Sequence, residues 1–451
     1  MRPFPEKPVI RYGAEEHALR LPDRWQAEWL VPTADCRLPT AEPAEAILRK
    51  ALERPIASPR LRELASGKRS AAILVPGQDR VAAASLYLPL LLEELNAGGI
   101  PDEAIEVFLA TGTHAKHTPD DAARVLGRET ASRVRWREHA CDDPALLARL
   151  GTTSRGTPVL FHRAVVEADL KVLTGRIIPH YFAGFGGGRK ALLPGVAGFE
   201  AILHNHSLTL APERGIHPRV RPCSLAGNPV HLDMVEAARR VSGLFVLNTL
   251  LDTAHRVIGA VAGELEAAHE AGCAMAARAF QVRVAEPFDA VIASAGGAPY
   301  DCNFMQALKA AFDVEEVLRP FDYAQGRPGG ALLWIAQCPH GMHDGFLRWA
   351  EVADDAALDR AVRAGYNLTG HNSILLRRLI RKARVALWSA LPDGQVRALG
   401  LEPVHSLAEG LSWLEATEPG ALRVGVAPFA NVTHAALGGT EEAEREDGAT
   451  A

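Results

Sequence analysis

The residues best equipped for chemistry stand in one string: Gly175-Arg176-Ile177-Ile178-Pro179-His180-Tyr181-Phe182-Ala183-Gly184-Phe185-Gly186-Gly187-Gly188-Arg189-Lys190. Four of the five residues from Gly184 to Gly188 are glycine. Such a run is poor in a helix or strand interior but lets backbone approach a ligand closely. Its exposed N–H groups suit an anion. A flexible surface loop is the alternative, but the string carries His180 near one end and Arg189-Lys190 at the other. The spacing is not that of a P-loop, and Arg189 takes the third glycine position of a G-x-G-x-x-G dinucleotide fingerprint.

Two further histidines flank glycine-rich turns. His114 ends Ala110-Thr111-Gly112-Thr113-His114, and His206 lies in Leu203-His204-Asn205-His206-Ser207. With 17 histidines in the chain, any one of them is ordinarily structural. Three at loop positions beside glycine turns suggest acid–base or metal chemistry. Zinc sites also use closely spaced histidines, but no Cys or carboxylate stands at matching spacing here. HExxH and GxSxG are both absent, which argues against zinc peptidases and α/β-hydrolases. In the second half, Gly296-Gly297 leads through Met305 to Gln306 and Lys309, three residues apart and so on one helix face. That pair is either an anion site at a helix start or an ordinary solvated face.

Short apolar runs alternating with amphipathic stretches must position these residues. Strands are expected at Ala71–Val75, Ile105–Ala110, Leu170–Thr174, Phe245–Leu251, Val257–Val261, Asp289–Ala293, Leu332–Ala336, Val385–Trp388 and Leu422–Ala427. Helices are expected at Ala83–Asn96, Pro119–Leu126, Gly263–Phe280, Phe304–Phe312, Ala356–Ala364 and Ser373–Lys382. The alternation predicts an α/β fold with largely parallel sheets. The pattern restarts at Glu286-Pro287, giving an N-terminal α/β domain at 1–285, a C-terminal α/β domain at 286–437 with a cofactor cleft between them, and a disordered acidic tail at 438–451.

The bulk properties agree. A chain of 451 residues exceeds what one core usually serves. A net charge of -5 without a basic stripe excludes a nucleic-acid surface. Six scattered cysteines without a CxxC pair point to free thiols in the cytoplasm. Met1–Arg11 lacks the apolar core of a signal peptide, and no run of 18 apolar residues spans a membrane.

Taken together and in order, Thr113-His114-Ala115-Lys116-His117, the Pro179–Lys190 string, His204-Asn205-His206-Ser207 and the Gly-Gly…Met-Gln-Ala-Leu-Lys run resemble the nickel-pincer-dependent lactate racemase family of 2-hydroxyacid racemases and epimerases. The resemblance is strong from Ala71 to Lys309 and looser beyond. It implies a nickel-pincer nucleotide (pyridinium-3,5-bisthiocarboxylic acid mononucleotide nickel) tethered through a thioamide to Lys190, cradled by Thr111, Gly112, Gly187 and Gly188. By the same resemblance His206 is the nickel ligand and His114 and His180 are the acid/base pair. Arg80, Gln306 and Lys309 hold the substrate, a small 2-hydroxyacid that passes through a 2-oxoacid by hydride transfer. Enzymes that make the cofactor are the implied partners. The chain departs from the family's usual pattern at Asp79 beside Arg80, at Gly186 in place of a serine and at Met305 in place of a tyrosine. A cofactor-binding relative without turnover, or a nicotinamide-dependent oxidoreductase, are the competing readings.

Overall fold

The computed structural model describes residues 9–32, 42–78, 80–114, 116–321 and 329–438. The chain divides into two compact α/β units. One comprises Arg37–Thr209 and Pro218–Ala279; the other comprises Met1–Cys36, Leu210–His217 and Phe280–Ala451. Neither unit is one continuous stretch of chain. Gln26–Trp29 pairs in parallel with Arg423–Ala427 at the edge of the second unit's sheet. Leu210 packs against the Trp349, Leu358 and Val362 cluster, and Gly215 N donates to Asp359 Oδ1 at 2.7 Å. Long-range pairing, invisible to a scan along the chain, moves both segments. The expected disordered tail lies outside the described residues, apart from Gly438.

The first unit is built on a six-stranded sheet in the order Val257–Gly263, Leu244–Leu251, Leu170–Arg176, Ala71–Pro76, Ile105–Ala110, Arg135–Glu138. All neighbours are parallel except the first pair. The central strands are apolar because helices cover both faces, and every residue of Leu170–Arg176 is buried. The helix Ala84–Ala97 crosses from Ala71–Pro76 to Ile105–Ala110, burying Tyr87, Leu88, Leu91, Leu92 and Leu95. Each buried leucine contributes roughly 1.5–3 kcal/mol. The helix expected from Gly263 begins instead at Ala267. Gly263 ends a strand, and a Cβ there would lie 2.2 Å from the Ile56 carbonyl oxygen.

From Ala71–Pro76 the chain winds outward to Ile105–Ala110, then returns to add Leu170–Arg176 on the other side. Connections therefore leave in opposite directions, opening a crevice at the carboxyl ends of these strands, where ligands of such sheets bind. The second unit carries a six-stranded, all-parallel sheet in the order Glu402–Val404, Arg384–Trp388, Ala331–Ile335, Ala290–Ser294, Arg423–Ala427, Gln26–Trp29.

Candidate active site

Three neighbouring strand ends deliver the candidate residues of the first unit. After Ala71–Pro76 a turn closed by Arg80 N on the Gly77 carbonyl (2.9 Å) presents Arg80. After Ile105–Ala110 a second turn, His114 N to Thr111 O at 3.0 Å, presents His114. Both side chains are exposed, and Arg80 Nη2 lies 3.4 Å from His114 Nε2. Gly112 has φ +57°, its N–H donates to the Gly195 carbonyl at 2.9 Å, and a Cβ would sit 3.2 Å from the Pro194 oxygen. Thr111 is buried and donates to the His139 carbonyl at 3.4 Å. Asp79 lies outside the described residues.

His117 was not singled out in the sequence, yet it braces this corner. Its Nε2 accepts from Gln78 N at 2.9 Å, which leaves Nδ1 to donate to Glu138 at 2.7 Å. The fixed tautomer ties the Arg80 turn to the edge strand.

After Leu170–Arg176 the glycine string folds into a tight hairpin, Pro179–His180 against Gly184–Phe185. Phe182, 5% exposed, is the hub. The His180 ring meets it edge-on at 4.4 Å, the His206 ring at 5.0 Å, and Lys190 Nζ stands 5.1 Å from its centroid. Three candidate side chains separated by up to 26 positions thus converge on one aromatic ring. His180 also stacks on Tyr181 at 5.1 Å, and its Nδ1 accepts long bonds of 3.4 Å from Phe182 N and Ala183 N. His206 is not on a loop as expected: it lies in the last turn of the helix Phe199–Ser207.

The glycines are required by what lies behind them. Gly187 (φ +73°) and Gly188 (φ +54°) would place a Cβ 2.6 Å from Asn248 Oδ1 and 2.7 Å from His269 Cδ2, respectively. Asn248 Oδ1 accepts from Gly188 N at 2.9 Å. Arg189, the neighbour of Lys190 at the end of the string, is 1% exposed. It donates to the carbonyls of Ala183 (2.8 Å), Gly187 (3.3 Å) and Gly186 (3.4 Å), and its Nη1 lies 2.7 Å from His269 Nε2, which is itself 2.9 Å from the Gly186 carbonyl oxygen. Burial lowers its pKa to about 10. Arg189 is therefore an internal brace of the loop that carries Lys190.

Gln306 and Lys309 stand in the second unit, on the helix Phe304–Asp313 capped by Asn303, whose Oδ1 accepts from Gln306 N at 3.0 Å. Lys309 is not on a solvated face. Its ammonium pairs with fully buried Asp313 and donates to the Asn431 carbonyl at 2.6 Å. Burial lifts the Asp313 carboxyl to about 6, against the pull of Lys309.

Among the described residues no group of three or more His, Cys, Asp or Glu could hold a metal ion. No helix among the described residues is long and apolar enough to cross a membrane.

The first unit is thus a doubly wound α/β unit with candidate histidines and a lysine beyond the carboxyl ends of its strands. The lactate racemase N-terminal domain family matches residues 12–216. The chain is 31% identical to a lactate racemase of Thermoanaerobacterium thermosaccharolyticum over 427 residues, covering 93% of this chain and 96% of that protein. It is 32% identical to a lactate racemase of Lactiplantibacillus plantarum over 318 residues, covering 70% and 72%. The structure of the lactate racemase apoprotein from T. thermosaccharolyticum superposes with a TM-score of 0.82 at 29% identity, covering 95% of this chain and 99% of that one. A crystallised protein from Thermotoga maritima shares the fold, with a TM-score of 0.61 at 17% identity over 84% of this chain and 98% of that one. The chain belongs to the lactate racemase family, and its class is that of an isomerase, a racemase.

Proposed function

We propose that this chain racemises or epimerises a small 2-hydroxyacid, using a nickel-pincer nucleotide tethered to Lys190. The observation that carries the reading is the convergence of Lys190, His180 and His206 on Phe182. The residues fit the group. Lys190 N donates to the Gly187 carbonyl at 3.2 Å and so closes the glycine turn, the Lys190 and His206 side chains share Phe182, and imidazole is a good nickel donor. When bound, the cofactor supplies a pyridinium that accepts hydride from Cα and returns it.

The protein's own residues handle the proton and the carboxylate. Arg80 supplies a bidentate partner for a carboxylate. Mirror-image substrates need a base for each hydroxyl, and His114 and His180 are the two. Each takes the hydroxyl proton of one enantiomer and returns it in the reverse direction, work worth roughly 10²–10⁴-fold in rate. Gln306 and Lys309 are the candidate substrate binders that the second unit offers. The names of the relatives make lactate the first substrate to try, while the departures at Asp79, Gly186 and Met305 from the family's usual pattern leave other 2-hydroxyacids open. The cytoplasm, where cofactor-making enzymes are the partners, is the compartment that suits six scattered cysteines.

The test is protein produced with the cofactor pathway and offered a panel of single-enantiomer 2-hydroxyacids. Loss of optical purity is expected for at least one. A covalent adduct on Lys190 with bound nickel, but no racemisation across the panel, moves the reading to a binding protein without turnover. An unmodified Lys190 peptide from active, nickel-containing protein overturns the tether.

A further inference from the structure

Asp233 is completely buried, and no cation pairs with it among the described residues. Three donors satisfy it instead. Thr153 Oγ1 donates to Oδ1 at 2.5 Å; Thr157 Oγ1 and Asn205 Nδ2 donate to Oδ2 at 2.7 and 2.8 Å. Asn205 directly precedes His206, and its amide also donates to the Val230 carbonyl at 3.2 Å. His204 joins the same network, with Nδ1 2.8 Å from Thr157 Oγ1. The single Thr157 hydroxyl proton is committed to Asp233, so His204 Nδ1 must be the donor there.

Two consecutive residues of the helix Phe199–Ser207 are therefore tied to one carboxylate. Helical residues are spaced about 100° apart. Fixing His204 and Asn205 fixes the rotation of the helix about its axis, and with it the direction in which His206 leaves. Asp233 belongs to the helix Pro229–Ala238, and the cap of that helix reaches the other half of the site. Asn228 Nδ2 donates to the Phe182 carbonyl at 2.9 Å, while Asn228 Oδ1 accepts from Val230 N and His231 N at 3.1 and 3.3 Å. One helix thus holds Phe182 at its start and the His206 helix a turn and a half later.

We propose that Asp233, acting through Asn205 and through Thr157 with His204, is a positioning residue that aims His206 at its metal. The proposal rests on the reading of His206 as the nickel ligand. Buried carboxylates are costly to desolvate, and a network of amides and hydroxyls alone would pack two helices. A full negative charge accepting three hydrogen bonds gives a stiffer anchor. Residues that orient metal ligands commonly change metal affinity 10–100-fold when replaced.

The test compares Asp233→Asn, Thr157→Val, Thr157→Ser and His206→Ala in cofactor-loaded protein. The readouts are nickel lost to a chelator over time, the Lys190 adduct by intact mass, and the nickel-centred absorption spectrum. Thr157→Val keeps the side-chain shape and serves if Asp233→Asn does not fold. Asp233→Asn and Thr157→Val are expected to release nickel about 10-fold faster or more, with a shifted spectrum and the adduct retained. Thr157→Ser, which keeps the hydroxyl, is expected within about twofold of the parent. Parent-like release and spectra in both Asp233→Asn and Thr157→Val, with rapid release from His206→Ala, overturn the positioning role and leave the ligand reading intact. Parent-like nickel retention in His206→Ala overturns both.

Discussion

Arg189 Nη1 lies 2.7 Å from His269 Nε2, and both side chains are buried. His269 Nε2 also lies 2.9 Å from the Gly186 carbonyl oxygen, so it faces both a cation and an acceptor. Burial and the adjacent Arg189 charge hold its pKa well below the usual histidine value. Three other buried histidines of the same unit behave alike, chiefly through burial: His139 is lowered, His162 falls to about 4 and His231 to about 3.

Acid should therefore loosen the fold before it titrates these histidines in place. The unfolded chain binds their protons near pH 6.5 and the folded chain does not. The stabilisation is complete above about pH 6.5 and declines with acid, for His162 and His231 as pH falls toward about 4 and about 3, at about 1.4 kcal/mol per pH unit each. Asp313, lifted by burial, contributes the opposite slope between its unfolded value near 3.8 and about 6, but it is one group against four. Denaturant midpoints from pH 7.5 to 4.5 should fall with acid. His231→Phe should flatten the slope, since the His231 ring makes no hydrogen bond among the described residues. A midpoint independent of pH across that range contradicts the assignment.

Gly187→Ala and Gly188→Ala should each destabilise by about 2–4 kcal/mol, combining a left-handed backbone with a collision. The colliding atoms are Asn248 Oδ1 and His269 Cδ2. Gly67→Ala is the control, because it shares the positive φ (+73°) but meets nothing within 4 Å. Thermal melts read all three, and the two loop variants should also carry less Lys190 adduct. An adduct yield equal to the parent's separates the glycines from the cradle.

His114→Ala and His180→Ala should each abolish racemisation in both directions, because a full turnover uses both bases. Single-turnover chemistry should be one-sided: each variant still converts one enantiomer to the 2-oxoacid and not the other. Rapid quench with each pure enantiomer reads this. Nickel content and adduct should match the parent. Near-normal racemisation in both variants rejects the two-base scheme.

Lys309→Met should lower stability by about 3–5 kcal/mol, because it strands the buried Asp313 carboxylate. Lost activity in that variant alone is therefore not diagnostic. The double variant Lys309→Met with Asp313→Asn removes the stranded charge and should recover most of the stability. If Lys309 also holds substrate, the double variant stays stable with a raised KM. A parent-like KM makes Lys309 structural only.

The sequence by itself determined the α/β class and the central strands of the first unit. Buried parallel strands must be continuous apolar runs, and Ala71–Pro76, Ile105–Ala110 and Leu170–Arg176 are. Residues just beyond such strands lie at one edge of the sheet, so Arg80, His114 and the glycine string were legible as neighbours. The strand Arg135–Glu138 was not legible: it is an edge strand of alternating charged residues without an apolar run. The Asn228-Pro229 pair does carry a readable signal, an N-cap followed by proline at a helix start, but nothing local says that Asn228 reaches Phe182. Tertiary structure alone decided that Gln26–Trp29 belongs to the second sheet, that Arg189 is buried and braces backbone, and that Lys309 is paired inside its unit. Each of these depends on a partner more than a hundred residues away or on burial by the packed whole. Residue type and local spacing encode what a side chain can do; which atoms it meets is set when distant segments exclude water together.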